Sequence, residues 1–537
     1  MKKLFILLMC TGLFTISCDD NLLTPFIPGS LVDEVAVQNS IGLRNLMNSS
    51  YNNSTNREEY VFSSVFTDEV GIGYANGGQG LSDNYIFFMN QSSASPNTIW
   101  TSSYFALSRI NRVIVFADRL TPVDAADAEI IARTKAEALT MRALLHIKIM
   151  SYFSPNPKDN DALAGILSDR IITTSEGGLQ RSNNGAFYTL IHSDLDAAIG
   201  IFNSLVLPTP AYVTNVTYYA NSNLAKGLKA RAYALKGDYP NAEIWADDVI
   251  ATSGVSLAAT QASYNQVFFT DNEAANTEVI FRLRRTVQQN TQGSNLHNGW
   301  CSVRPNLAGS PFYEVGRSLH NVLNPLNLSS ANLFAAVNTA TTDFRARTII
   351  APSSLIDPNY ATSADYRNTD RVIIHKHGGV ASGTTTSAST AANGFNNDHK
   401  IMRISEMYLI KAEARVAAGD LPGAANQIDI LRDKRFTVNQ PLAVYANPTA
   451  AWKAILDERR IEFAFEGFRF IDIKRIGALA GISGVDRDPA DYSSSSSNFP
   501  AANPVNLPLN SYLWALPIPQ DELNANSGIQ QNVGYFN

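Results

Sequence analysis

Apolar residues recur every three to four positions over long stretches of this chain. That period predicts helices at about 31–51, 98–120, 124–152, 187–205, 218–236 and 239–253. The 124–152 segment is apolar on two faces. Ile131, Ala138, Leu145, Ile149 and Tyr152 line one, and Ala136, Leu139, Ala143, Ile147 and Met150 line the other. A helix apolar on two sides is packed on two sides, as in a layered stack of helix pairs. The period fades over about 60–96, a loop rich in Gly and aromatics. It fades again over 254–400, where Asn, Ser, Thr and Gly dominate and only Glu278–Leu283 and Arg371–Lys376 read as strands. Helical spacing returns at about 402–418, 421–435 and 449–471, ahead of a Ser run at 493–497 and a Pro-punctuated tail.

Two helix junctions echo one another. Ala234-Leu235-Lys236-Gly237-Asp238-Tyr239-Pro240-Asn241-Ala242 resembles Ala417-Ala418-Gly419-Asp420-Leu421-Pro422-Gly423-Ala424. Each places Gly where a helix needs a left-handed stop, then Asp as the next N-cap and Pro in its first turn. This is the grammar of tetratricopeptide-like hairpins, and equally of two ordinary αα-hairpins. The expected fold is mostly α: tetratricopeptide-like helix pairs forming a scaffold, with a loop-rich irregular region carrying a few short strands.

The first residues carry a different pattern. Lys2 and Lys3 precede an almost wholly apolar run from Leu4 to Ile16, too short for the roughly 20 residues that span a bilayer. The run reads as a secretory signal. It ends at Ser17-Cys18, followed by Asp19, Asp20 and Asn21. A small residue before a Cys resembles a bacterial lipobox, although Thr15 and Ile16 depart from its usual residues, and an ordinary cleaved signal with an incidental Cys is the other reading. The expected organisation is a signal at 1–17, a tether at 18–30 and one domain over 31–537. That domain divides into helical 31–253, variable 254–400 and C-terminal 401–537.

Charge narrows the function classes. The 42 Lys and Arg against 48 Asp and Glu leave −6, so no basic field exists for nucleic acid. Cys10 lies in the signal and Cys18 would carry lipid, which leaves Cys301 with neither a disulfide partner nor a thiolate metal site. His375 and His377 share one face of a probable strand, but no HExxH and no third ligand accompanies them. Asp486, Asp488 and Asp491 are oxygen-rich without EF-hand spacing. Gly71-Ile72-Gly73 lacks a βαβ context, and no P-loop or GxSxG occurs. No catalytic set, metal or cofactor is expected.

Several stretches, in order, resemble the SusD/RagB family. Ala136-Glu137-Ala138, Arg142-Ala143 and Tyr152-Phe153 match an N-terminal signature, as do Phe187 to Phe202 and Ala225 to Tyr233. Arg403 to Ala414 is similar to the family's RxxExxLxxAEA helix, and Glu458 to Asp472 to its ERxxEFxxEGxRxxD stretch. Leu516-Pro517-Ile518-Pro519 and Gln531 to Tyr535 complete the order. The resemblance implies four tetratricopeptide-like pairs supporting a loop-rich region. It also implies an outer-membrane lipoprotein of Bacteroidetes that captures oligosaccharides, sometimes peptides, as the lid of a TonB-dependent, SusC-like transporter. Membrane attachment would be through lipid on Cys18.

Sugar rings are bound by flat aromatic faces, with Asn, Asp and Arg for the hydroxyls. Two loop regions offer that mixture. One holds Asp68, Glu69, Tyr74, Asn76, Tyr85, Phe87 and Phe88; the other holds Asn298, Trp300, Arg304, Asn306, Phe312 and Tyr313. The expected ligand-binding set is Asp68, Tyr74, Asn76, Tyr85, Trp300, Arg304, Asn306 and Tyr313. Trp300 leads it, having no helical core role visible in the sequence. Trp100 and Tyr104 open a helix and read as core. Glu458, Glu462, Glu466 and Asp472 read as a structural ion-pair network rather than catalytic acids, with i,i+3 pairs Arg459–Glu462, Glu466–Arg469 and Asp472–Arg475. A glycoside hydrolase and a purely structural surface protein are the remaining alternatives.

Overall fold

The computed structural model describes residues 37–73, 83–173, 176–213, 215–269, 278–285, 300, 311–335, 343–356, 370–377, 398–491 and 503–535. In chain order the helices and strands begin with α1 (Ser40–Asn53), α2 (Arg57–Val65), β1 (Val70–Ile72), α3 (Ala94–Arg119), α4 (Ala125–Phe153), α5 (Asn184–Ser204), α6 (Ser222–Lys236) and α7 (Tyr239–Thr252). The middle holds α8 (Gln261–Phe269), β2 (Val279–Leu283), β3 (Tyr313–Val315), α9 (Arg317–Leu323), α10 (Ser330–Phe334), α11 (Arg345–Ile349) and β4 (His399–Arg403). The last part holds α12 (Ile404–Ala417), α13 (Leu421–Arg432), α14 (Pro448–Glu462), α15 (Arg469–Ile476), β5 (Gly484–Asp486), β6 (Asn506–Pro508) and α16 (Gln520–Ala525). The fold is mostly α, as expected.

The helices form a layered array in which α3, α4, α5, α6 and α7 each pack on the next. The chain then leaves for about 150 residues and returns with α12 directly against α7, followed by α13. Helix α4 touches α1, α3, α5 and α6, which explains its two apolar faces; from Thr134 onward nearly all of its residues are buried. Its N-terminus is fixed by Asp124, whose carboxylate accepts the Asp127 N–H at 2.8 Å. The echoed junctions fold as their residues predict. Gly237 and Gly419 adopt φ of 84° and 80°, and Asp238 and Asp420 cap α7 and α13.

Three sequence expectations need correction. A helix over residues 57–65 runs into the segment read as a loop from about 60. Residues 371–376 make only isolated bridges, Arg371 to Leu355 and Ile374 to Ile350, so His375 and His377 share no strand face. His375 stacks on Phe269 at 4.0 Å instead. The helix read over 449–471 ends at Glu462, because Phe465 (φ 60°) and Gly467 (φ 83°) turn left-handed before α15 begins. A Cβ on Gly467 would press into the Tyr60 ring at 2.8 Å, so this turn requires glycine for space as well as for conformation.

That turn also redirects the expected ion pairs. Glu462 receives three guanidiniums: Arg403 at 2.8 Å, Arg435 at 2.9 Å and Arg345 at 3.0 Å. Arg403 continues to Glu466 at 2.7 Å and Glu278 at 2.8 Å, and Lys376 adds a 2.6 Å contact to Glu466. Arg345 bridges on to Asp343 and Glu458, and Arg432 completes the set through Glu458. Five cations thus meet five acids, so the cluster is neutral although almost wholly buried. Of the expected i,i+3 pairs only Asp472–Arg475 forms, at 3.0 Å. Arg459 turns to Asp472 and Arg469 to Asp68, both at 2.8 Å.

Burial alone would push the Glu462 carboxyl up, but Arg435 and Arg403 outweigh it and hold it well below the usual carboxylate range. Glu462→Ala would leave three buried guanidiniums short of an anion. Such a break costs roughly 3–5 kcal/mol, so chemical denaturation should show a loss of that size; a loss under about 1 kcal/mol would mean the cluster relaxes around the gap.

Candidate functional site

The two aromatic-rich loop regions meet. Strand β1 pairs antiparallel with β3, Val70 opposite Val315 and Ile72 opposite Tyr313, which sets Glu69 beside Gly316, whose N–H donates to the Glu69 carbonyl at 2.8 Å. The pairing continues past the strands: Gly73 N–H donates to Phe312 O at 2.8 Å, and Tyr313 N–H to Trp300 O at 2.7 Å. A Cβ on Gly73 would fall on the Pro311 carbonyl, so the close approach depends on glycine.

Beneath this crossing lies an aromatic floor. The Tyr85 ring stacks on Tyr313 with centroids 5.5 Å apart, and Trp300 meets Phe465 edge-on at 5.5 Å. Arg487, which sequence reading missed, lies 4.1 Å from both the Tyr85 and Phe87 ring centroids. It donates to the Thr67, Val65 and Tyr85 carbonyls, tying the first loop to the C-terminal part of the chain. Its one sequence signal was an Arg among the aspartates at 486–491, which had drawn attention only as possible calcium ligands. Asp491 instead accepts the Arg317 N–H at 2.8 Å, and no group of metal-ligating residues occurs among the described residues.

Tyr85, Trp300 and Tyr313 come together beneath the crossing, Asp68 pairs with Arg469 ahead of β1, and all four are buried. Trp300 has a core role after all, inside a second hydrophobic cluster with Val70, Ile72 and Phe465. Its faces are occupied, so it is no open stacking platform. Trp100 and Tyr104 are core, as read: the Trp100 Nε1–H donates to Glu522 and the Tyr104 hydroxyl to Ile166 O. Cys18, Tyr74, Asn76, Asn298, Arg304 and Asn306 lie outside the described residues. On the described rim the open rings are Phe88, 48% exposed, and half-buried Phe312.

Two adjacent carboxyls under this crossing behave oppositely. Burial works against the Asp68 carboxylate, but Arg460 and Arg469 outweigh it and hold its pKa below the usual range. Its neighbour Glu69 makes no ion pair among the described residues, and the Arg469 charge acts on it only weakly. Burial, reinforced by the Asp68 charge, pushes Glu69 up to about 7, with the Phe465 N–H at 3.2 Å opposing.

A comparison with curated proteins finds no match. The SusD family model matches residues 351–535. Solved structures match over nearly the whole chain. A SusD superfamily protein from Bacteroides thetaiotaomicron is 21% identical with a TM-score of 0.68, covering 92% of this chain and 99% of its own. The fold is SusD-like. A SusD-like carbohydrate binding protein from Bacteroides vulgatus is 17% identical with a TM-score of 0.64, covering 92% and 97%. A laminarin binding SusD-like protein is 19% identical with a TM-score of 0.60, covering 93% and 100%.

In this SusD-like chain, Trp300→Ala should cost about 3–5 kcal/mol of stability, as large-to-small changes of buried aromatics do. Phe88→Ala on the rim should stay within about 0.5 kcal/mol. Equal denaturation midpoints for the two variants would overturn the floor-and-rim assignment.

Glu69 gives a pH signature. A carboxyl whose folded pKa lies above its unfolded value binds more protons when folded, so its contribution is present at low pH and lost as pH rises through about 7. Glu69→Gln should match the parent near pH 5 and melt higher than it at pH 8. A melting difference that does not change with pH would rule this out.

Proposed function

We propose that this SusD-like chain is a surface-exposed outer-membrane lipoprotein that captures oligosaccharides and delivers them to a TonB-dependent, SusC-like transporter. The observation that carries the reading is the SusD family match over residues 351–535 on a SusD-like fold, with two aromatic-rich loop regions joined through β1 and β3. The carbohydrate-binding and laminarin-binding structures that share the fold support a glycan as the ligand class. No helix among the described residues is long and apolar enough to cross a membrane, which is compatible with attachment by lipid on Cys18. The glycan would rest on the rim above the buried floor, against Phe88, Phe312 and the loop residues Tyr74, Asn76, Arg304 and Asn306.

A few stacked rings and exposed hydroxyl contacts correspond to about 4–8 kcal/mol, or millimolar to micromolar affinity. A glycan array followed by calorimetry should find a ligand in that range, with no new reducing ends over time. Phe88→Ala or Tyr74→Ala should weaken it several-fold without lowering the melting temperature. Release of reducing ends by pure protein would move the chain to the hydrolases, and exclusive binding of peptides would change the ligand while keeping the scaffold.

Anchoring is tested separately. One acyl chain holds a protein only marginally, so firm retention needs several on the terminal Cys. Cys18→Ala should release soluble protein; quantitative membrane fractionation of the variant without a barrel partner would contradict lipid anchoring.

A further inference from the structure

A second concavity, of about 560 Å³, lies between α15 and the C-terminal tail and shares no lining residue with the loop crossing. Its size falls within the range of small-ligand sites. Two cations line it, Lys474 and Arg181, and its lining includes no Asp or Glu. Both meet the C-terminal end of α4. Lys474 Nζ donates to Ser151 O at 2.9 Å and Ser154 O at 2.5 Å, and Arg181 donates to the Phe153, Leu163, Ala164 and Gln530 carbonyls, at 3.2, 2.8, 2.7 and 3.2 Å.

Capping of α4 explains part of this arrangement. A helix C-terminus carries only about half a negative charge, however, against the Arg181 guanidinium and the partly protonated Lys474 amine. The Lys474 ammonium has three donors and spends two on carbonyls among the described residues. Burial without an opposing carboxylate lowers its pKa to about 7, the mark of a cation lacking a counter-ion. Beside this charge stand the Tyr512 ring, 48% exposed, and the exposed amides of Asn510 and Gln530. A flat ring, neutral hydrogen-bonding groups and excess positive charge in one cleft match a sugar bearing an acid group.

We propose that this cleft binds an acidic saccharide, a uronate or sulfated unit, with its acid group drawn to Lys474 and Arg181 and a ring face on Tyr512. It would act beside the loop-borne glycan site and select polymers by charge.

The test uses the purified full-length protein and calorimetry with an oligogalacturonate, a sulfated oligosaccharide, a neutral glucan and inorganic sulfate. An acidic oligosaccharide should bind, lose affinity as NaCl is raised, and weaken at least fivefold in Lys474→Gln and in Tyr512→Ala. Phe88→Ala, at the loop rim, should leave that binding unchanged. Should Lys474→Gln fail to fold, the exposed Tyr512→Ala and Gln530→Ala variants carry the test. The proposal is overturned if the neutral glucan competes equally for the same site, if inorganic sulfate binds as tightly as the saccharide, or if folded cleft variants bind like the parent. Loss of acidic binding with neutral binding kept at the loops would separate this failure from that of the glycan-capture reading.

Discussion

The structure depends on how Glu462 is neutralised. Its carboxylate sits fully buried at the end of α14 and is held by guanidiniums from β4, α11 and the segment after α13. A buried ion of this kind costs several kcal/mol in desolvation unless every lone pair is met. Here both oxygens accept two N–H bonds each. Meeting that demand positions β4 for its pairing with β2, fixes α11, and ties the irregular middle of the chain to the helical array. Hydrophobic burial supplies most of the folding energy, but it is non-directional. The charge cluster supplies the register.

The same logic accounts for the loop crossing. Asp68 is anchored by Arg469 from the turn that Phe465 and Gly467 create, and Arg487 ties the first loop to the C-terminal part of the chain. Loops held this way sit on a fixed floor, so a ligand meeting the rim would not need to order the parts beneath it. The floor is built from the aromatic residues that a sugar site would use, turned inward.

What the sequence disclosed follows from the range of each interaction. Helices and their hairpins were readable because Gly237-Asp238 and Gly419-Asp420 act on their own neighbours, within one turn. The resemblance to SusD/RagB was readable because its motifs lie in order along the chain. The break after Glu462 was visible in Gly467 but was overridden by the apolar period running past it. The ion pairs were misassigned because i,i+3 spacing reports only local partners, whereas Arg345, Arg403 and Arg435 come from distant segments. Trp300 was misplaced for a similar reason: an aromatic in a polar loop has no periodic partner to reveal that another segment covers it.

The adjacency of α7 and α12 has an architectural consequence. The chain leaves the helical stack and re-enters it at neighbouring positions, so the intervening segment behaves as a cassette plugged into a fixed socket. Lengthening such a segment is cheap, since each doubling of a flexible loop costs only about 0.6 kcal/mol in closure entropy. The socket is keyed, however. Any insert must present the counterparts of Glu278, Asp343, Arg345, Lys376 and Arg403 to the charge cluster around Glu462, or leave bare ions. The intervening segment is therefore free in length and in surface, and constrained at five points of charge.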